Sequence, residues 1–65
     1  MKLPLAPFKE IIKEQGAERI SQGALIELRR VTEDYATTVA EMSVFCAKHG
    51  NRKTVEQRDI RLSVR

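Results

Sequence analysis

Apolar side chains recur with helical spacing over nearly half of the chain, from Ser21 to His49, a stretch that contains no proline. They form a broad stripe at alternating steps of four and three residues: Ala24, Leu28, Val31, Tyr35, Thr38, Met42, Phe45 and His49, widened by Leu25, Val39 and Cys46. This period predicts one long amphipathic helix. Ser21 has the side chain of a good N-cap, and Gly50 is placed to end the helix.

A shorter pattern precedes the long helix. Pro4 and Pro7 are tolerated only in the first turn of a helix, so the first helix should begin between them. Its inward positions have helical spacing and are Phe8, Ile11, Ile12 and Gln15. Gly16 is the natural stop, and a short connector, residues 17–20, leads to Ser21.

A third, short helix follows the long one. Thr54 and Gln57 have the spacing of a capping box, with Thr54 as the N-cap and the Gln57 side chain reaching back. This helix should bury some combination of its apolar residues, which are Val55, Ile60, Leu62 and Val64. No segment shows convincing strand alternation, so the predicted fold class is all-α, with a long central helix between two short ones.

The predicted central helix is too long for a domain of this size. About 28 residues at 1.5 Å each give about 42 Å, whereas a compact chain of 65 residues has a diameter of about 28 Å. Two short helices cannot cover the apolar stripe along its whole length. We therefore expect a second copy whose long helix crosses the first, which is an isologous homodimer.

Composition narrows the class of protein. Twelve lysines and arginines against nine carboxylates give a formal charge of +3 and a pI of about 9.4, which favours an anionic partner. The single cysteine, Cys46, excludes an internal disulfide, and one Cys with one His cannot supply the usual set of zinc ligands. The chain has no apolar run that could span a membrane and no signal-peptide h-region. We expect one soluble intracellular domain, residues 1–65, without metal or cofactor.

The turn after the long helix is the main candidate for binding chemistry. Two cations and a hydroxyl lie just before a helix N-terminus in the segment Asn51-Arg52-Lys53-Thr54, and this arrangement can bind a phosphate. The alternative is a basic turn that is only solvated. An enzyme is the weakest hypothesis, because the chain has one histidine, no glycine-rich phosphate loop and no paired carboxylates in a plausible pocket.

Taken together, these motifs resemble the histone fold, and the match is closest to the small tail-less archaeal histones. The resemblance covers essentially the whole chain. It is carried by Leu3-Pro4, Ala6-Pro7, Ile11-Ile12-Lys13, Gly16-Ala17-Glu18-Arg19 with Ser21, Arg52-Lys53-Thr54, and Asp59-Ile60. It implies an intertwined handshake dimer in which the long helices cross antiparallel. The first connector of one protomer then lies beside the second connector of its partner.

The resemblance implies that these paired connectors bind double-stranded DNA. Arg19 would enter the minor groove where it faces the protein, a mode that depends on groove width and deformability. Lys53 of the partner would contact phosphate, and Thr54 would both cap the third helix and steady the arginine. Arg52 would be divided between phosphate and an ion pair with Asp59. The alternatives are an exposed Arg19 that pairs with a carboxylate and a solvated turn lysine at Lys53.

Helix 1 would add a third DNA contact. The resemblance assigns Lys9 and Lys13 to phosphate there. Glu10 departs from the residue that is often basic in the family, and a carboxylate facing DNA lowers the expected affinity.

A contact between dimers is also implied, at Cys46, His49, Asp59 and Leu62. His49 would hydrogen-bond to Asp59 across this contact, and the alternative is a histidine that interacts with the dipole of its own helix. Cys46 replaces a bulkier aliphatic residue of the family, so we expect weaker association between dimers.

Successive turns of a DNA superhelix would stack through a further set: Gly16, Arg30, Asp34, Arg61 and Arg65. Gly16 would allow close approach. Arg30 and Arg61 carry the same charge where family members tend to oppose unlike charges, whereas Asp34 and Arg65 keep an opposite pair. Stacked filaments are therefore expected to be weaker than the best examples.

The expected function is sequence-independent binding, bending and compaction of double-stranded DNA by homodimers that assemble into larger, chromosome-associated multimers in the cytoplasm. Paralogous histones are possible partners. One alternative is a histone-fold subunit of a transcription-related heterodimer. The other is a small dimeric regulator that reads specific bases, which would need base-reading side chains on a groove-entering helix.

Overall fold

The computed structural model describes residues 2–64 and contains three helices, α1 (Ala6–Glu14), α2 (Gln22–His49) and α3 (Gln57–Ser63). Within these residues there is no strand, so the all-α class and the short-long-short order are confirmed. The chain forms two compact units, one ending at Asp34 and the other beginning at Tyr35, and α2 runs through both. No helix among the described residues combines the length and apolarity needed to cross a membrane.

Helix α1 begins and ends as its sequence predicts. Pro7 lies in its first turn, where a missing N–H costs nothing. Gly16 adopts φ +105°, and the N–H groups of Gly16 and Ala17 donate to the carbonyls of Lys13 and Ile12 at 2.9 and 3.5 Å. This left-handed ending is a Schellman motif, and it requires glycine for its backbone conformation. Phe8 is buried, whereas Ile11, a predicted inward position, is half exposed.

Helix α2 begins and ends where the sequence predicts, after the N-cap Ser21 and before Gly50. Ser21 caps it, since its Oγ accepts from the N–H of Ala24 at 3.0 Å. Gly50 directly follows the last helical residue, as predicted, and the left-handed residue of the ending is Asn51, with φ 59°. The N–H groups of Asn51 and Arg52 donate to the carbonyls of Lys48 and Ala47, both at 2.9 Å. Asparagine tolerates this conformation better than most residues, so the Schellman motif forms one position later.

The conformation of Asn51 leads to a stability prediction. Asn51→Ala should destabilise the protein by about 1 kcal/mol, because a Cβ without a local hydrogen-bonding group disfavours the left-handed region. Asn51→Gly should keep or slightly raise stability, since glycine adopts positive φ freely. Thermal unfolding of the two variants at equal chain concentration measures the difference. Equal melting temperatures for both variants would contradict this account of the turn.

In the second unit, α3 packs on α2 through polar and small residues. In this half of α2 the buried positions are Val39, Ser43 and Ala47, at steps of four residues. Ser43 is fully buried; its Oγ donates to the Val39 carbonyl at 2.8 Å and lies 3.2 Å from Oγ of Ser63 on α3. The apolar residues expected to be buried around α3 are all exposed in the single chain: Val55, Ile60, Leu62 and Val64. That expectation is wrong for one chain, because α3 turns Asp59 and Ser63 toward α2.

Much of the predicted apolar stripe of α2 remains uncovered, although Leu25 and Val39 at its edges are buried. Tyr35, Met42 and Phe45 are 53, 49 and 64% exposed, and Val31 in the first unit is 49% exposed. Side chains of this size gain free energy when they are removed from water, roughly 1.5–3 kcal/mol each when fully buried. The single chain thus leaves apolar surface bare along both halves of its longest helix, as the length of that helix predicts.

Candidate nucleic-acid interface

The turn between α2 and α3 is fixed by one buried carboxylate. Asp59 is 1% exposed, and its Oδ2 and Oδ1 accept from Nη1 and Nη2 of Arg52, each at 2.8 Å. Oδ2 also accepts from the backbone N–H of Glu56 at 2.8 Å. The hydrogen bonds from Arg52 and from the Glu56 backbone hold the pKa of Asp59 well below its ordinary value of 3.8, against the opposing effect of burial.

Arg52 is largely committed to this network. Its guanidinium also donates to the Thr54 carbonyl at 3.2 Å and to Glu56 Oε1 at 3.3 Å, and the Asp59 hydrogen bond raises the pKa of Arg52 above its ordinary value. The predicted ion pair with Asp59 is therefore present. Since two carboxylates already offset the charge of Arg52, its main role in this structure is to brace the turn.

The start of α3 corrects one prediction. Thr54 and Gln57 were expected to form the capping box, but the helix begins at Gln57 and its N-cap is Glu56. The reciprocal bond comes from Asp59, whose carboxylate accepts from the Glu56 N–H. Asp59 is the third residue of α3, and Arg52 binds the same carboxylate. Thr54 lies in the turn, exposed, and is not the N-cap.

Lys53 is exposed beside this braced turn. Within residues 2–64 its ammonium forms no ion pair, in contrast to the neighbouring Arg52. A lysine beside a rigid turn can approach an anion without first breaking an internal contact. The geometry suits phosphate binding at Lys53 more than at Arg52.

The connector between α1 and α2 carries the other predicted cation. Arg19 is exposed, and in the described part of the chain it makes no ion pair with Glu18 or another carboxylate. It lies between two fixed points, the Schellman motif at Gly16 and the N-cap Ser21. On α1, Lys9, Glu10 and Lys13 are all exposed, so a carboxylate is accessible beside the two lysines.

The first unit contains contacts that the sequence did not predict. The backbone N–H of Leu3 donates to Glu33 Oε2 at 2.7 Å, and Nη1 of Arg29 donates to the Leu3 carbonyl at 3.3 Å. These two bonds hold the segment before α1 against α2. The only sequence signal for these contacts is that Arg29 and Glu33 are four residues apart on α2. This spacing is too common to be diagnostic.

The residues predicted for a contact between dimers lie together. Cys46, His49, Asp59 and Leu62 line one open groove, and Leu62 is 77% exposed. The ring of His49 stacks on Phe45, with centroids 6.1 Å apart and planes at 18°. Asp59 is at the groove but both its oxygens are bonded to Arg52, so a hydrogen bond from a partner's histidine would share an acceptor already in use.

The residues of the predicted stacking set that the structure describes are all exposed: Gly16, Arg30, Asp34 and Arg61. Arg30 lies between two carboxylates of its own helix, Glu27 at 2.5 Å and Asp34 at 2.9 Å. Its charge is therefore offset locally before any contact with a neighbour. Space around Gly16 is open in the single chain, and Arg61 is exposed. Arg65, the predicted partner of Asp34, lies outside the described residues.

Several known proteins are similar to this chain over nearly its whole length. The family model described as histone-like transcription factor (CBF/NF-Y) and archaeal histone matches residues 1–64. One of the subunits of archaeal histone HAN1 from Thermococcus zilligii is 41% identical over 63 residues, which cover 97% of this chain and 94% of that protein. Probable archaeal histone 3 of Methanocaldococcus jannaschii is 40% identical with the same coverage. Human DNA polymerase epsilon subunit 4 is 35% identical over 60 residues, 91% of this chain and 51% of that protein.

Proposed function

The chain belongs to the family of histone-like transcription factors and archaeal histones, and from that premise we propose that it packages double-stranded DNA as a handshake homodimer. The dimer carries about +6, twice the formal +3 of one chain. Binding is independent of sequence, is driven by counterion release and is limited by the cost of bending the duplex.

The observation that carries the proposal is the pair of exposed cations on fixed connectors. Arg19 lies between the Schellman motif of α1 and the N-cap of α2, and Lys53 lies on the turn braced by Arg52 and Asp59. In a dimer with crossed α2 helices, Arg19 of one protomer and Lys53 of its partner form a composite site, twice per dimer. Arg19 enters the minor groove and Lys53 contacts the phosphates that flank it.

The bare stripe of α2 supports the dimer in this proposal. Tyr35 and Met42 are about half exposed in a single chain, and an equivalent stripe on a second copy would cover them. Dimers then join through the groove at Cys46, His49 and Leu62, and the multimer grows along DNA. Lys9 and Lys13 add a central phosphate contact, where Glu10 weakens binding. The stacking contacts of Gly16, Arg30, Asp34, Arg61 and Arg65 belong to this assembly.

A second candidate function is a subunit of a heterodimer. Two relatives favour it by their names, since one is a subunit of an archaeal histone and another is a subunit of DNA polymerase epsilon. In that case the same apolar stripe packs on a paralogous chain. The exposed Arg19 and Lys53 favour the DNA-packaging function, because a purely structural subunit needs neither cation free.

Nuclease digestion of the complex on mixed-sequence DNA, over a range of protein-to-DNA ratios, tests the proposal. We expect protected fragments that lengthen in steps of one dimer as the ratio rises, with similar protection on unrelated sequences. Protection of one fixed length at one sequence would instead indicate a base-reading regulator. No protection by the purified chain, with protection restored by a co-expressed paralogue, would support the heterodimer.

A further inference from the structure

The groove at the C-terminal end of α2 combines apolar walls with two metal-binding side chains. It has a volume of ≈ 430 Å³, and Phe45 and Leu62 on its rim are 64 and 77% exposed. Cys46 and His49 line it together. Residues three apart on a helix are neighbours on one face, so the thiol and the imidazole project to the same side.

The imidazole of His49 is packed on one face and open at its edge. It stacks face-on against Phe45, one turn earlier on α2, and a stacked ring keeps both nitrogens at its rim. In the described part of the chain, neither nitrogen has a hydrogen-bond partner. Cys46 is a free thiol of intermediate exposure. Both groups are therefore available to a ligand that enters the groove.

One chain cannot complete a metal site with them. No cluster of three or more His, Cys, Asp or Glu side chains suited to a metal occurs within the described residues. Asp59 lines the same groove, but its carboxylate is fully engaged by Arg52 and the Glu56 N–H. A tetrahedral Cys₂His₂ site needs one further cysteine and one further histidine, and the only source of both in a solution of this protein is a second copy.

We propose that two copies of the chain bind one Zn²⁺ between their grooves, through Cys46 and His49 of each copy. The inference rests on the proposed contact between dimers and adds a metal to it. A two-fold axis through the ion generates all four ligands from one Cys and one His. One cysteine and one histidine are too few for zinc in an isolated chain, but they suffice in a symmetric pair.

The charges of the groove favour this occupant. Two thiolates cancel the charge of Zn²⁺, so the completed site is neutral and suits the apolar surroundings of Phe45 and Leu62. The groove floor is also nearly neutral, since Arg52 offsets Asp59 and Arg58 donates to Glu56 at 2.9 Å. Two identical grooves can therefore meet without strong repulsion. Cysteine and histidine select zinc over magnesium or calcium, which prefer oxygen ligands.

Cobalt titration of the full chain, without DNA and in a reducing buffer, tests the site. We expect intense tetrahedral ligand-field bands with a sulfur-to-cobalt charge-transfer band, saturating at one ion for every two chains. Zinc should displace cobalt and raise the mass of the main species above that of the dimer in analytical ultracentrifugation, and a chelator should reverse the change. Absence of the sulfur band and of any zinc-dependent mass change would overturn the proposal.

Variants distinguish this zinc site from a disulfide and from metal binding elsewhere on the chain. Cys46→Ser and His49→Gln should each abolish the spectrum and the zinc-dependent increase in mass, whereas Glu18→Gln, an exposed change outside the groove, should leave both intact. Cys46→Leu should associate without responding to zinc. Bands that survive in Cys46→Ser, or association that appears only without reductant, would overturn the proposed ligand set. Nuclease protection of DNA is measured separately on the same preparations. If the parent chain and every variant failed to protect DNA, the result would count against DNA packaging and not against the zinc site.

Discussion

Asp59→Asn should lower the melting temperature by on the order of 10 °C, the largest loss of stability that we expect from a single substitution. The amide keeps the shape of the carboxylate but removes the charge that pairs with Arg52. It also replaces one acceptor oxygen by an NH₂ group that must face a guanidinium or the Glu56 N–H. A buried partner left unpaired costs far more than an exposed one. Thermal unfolding followed by circular dichroism, at one fixed chain concentration, measures the change.

Asp34→Asn is the matched control for this prediction. Asp34 pairs with Arg30 at 2.9 Å, but its side chain is 69% exposed. Exposed pairs contribute little, so this variant should melt close to the parent chain. If the two variants melted together, the Arg52–Asp59 pair would not be the brace of the turn.

Acidification should reproduce the loss in the unmodified chain. The pKa of Asp59 is held well below 3.8, chiefly by the hydrogen bonds from Arg52. A carboxylate whose pKa is lower in the folded state stabilises the fold above its ordinary pKa, and this contribution disappears as the pH falls below that value. The melting temperature should therefore drop steeply below about pH 4, and Asp59→Asn should show a shallower dependence. Parallel pH profiles would assign the acid sensitivity to other carboxylates.

The second large effect concerns DNA affinity. Arg19→Ala and Lys53→Ala should each weaken binding to all duplexes by a similar factor. Each should also reduce the slope of log affinity against log salt by about one unit for every phosphate that is no longer neutralised. Both side chains are exposed, so neither substitution removes an internal contact. Binding isotherms at several salt concentrations, on at least two unrelated sequences, give the slope and the sequence dependence.

Lys48→Ala provides the control for charge alone. Lys48 is an exposed cation in the last turn of α2, outside the proposed surface. Its removal deletes one charge but no proposed contact, so the salt slope should change less than in Lys53→Ala. Equal changes in all three variants would indicate diffuse electrostatic attraction without a defined site. Weaker binding confined to one DNA sequence would favour a base-reading protein.

The helices of this protein could be predicted from its sequence because their signals are local. The spacing of apolar residues set the length of α2, Pro7 and Gly16 bounded α1, and Ser21 caps α2 as predicted. Each of these features depends on residues within one or two turns. The overall match to the family followed from the same short motifs, which are rare in combination.

The N-cap of α3 was predicted incorrectly, and the left-handed residue after α2 was not anticipated, because several groups compete for each of these roles. Gly50 and Asn51 can both end a helix, and Thr54 and Glu56 can both cap one. Which residue takes each role depends on the position of α3 that brings Asp59 to Arg52 and Ser63 to Ser43. These partners are 7 and 20 residues apart in the sequence. Periodicity also could not show that α3 would turn its polar side to α2.

The sequence by itself determined three helices, a long apolar stripe that one chain cannot cover, and two basic connectors. Only the tertiary structure decided which cations of those connectors form internal ion pairs and which are accessible to a ligand. Arg52 is tied to Asp59, whereas Arg19 and Lys53 are exposed. The physical reason is that an ion pair depends on distance in space, and the distance between Arg52 and Asp59 is set by the packing of α3 on α2.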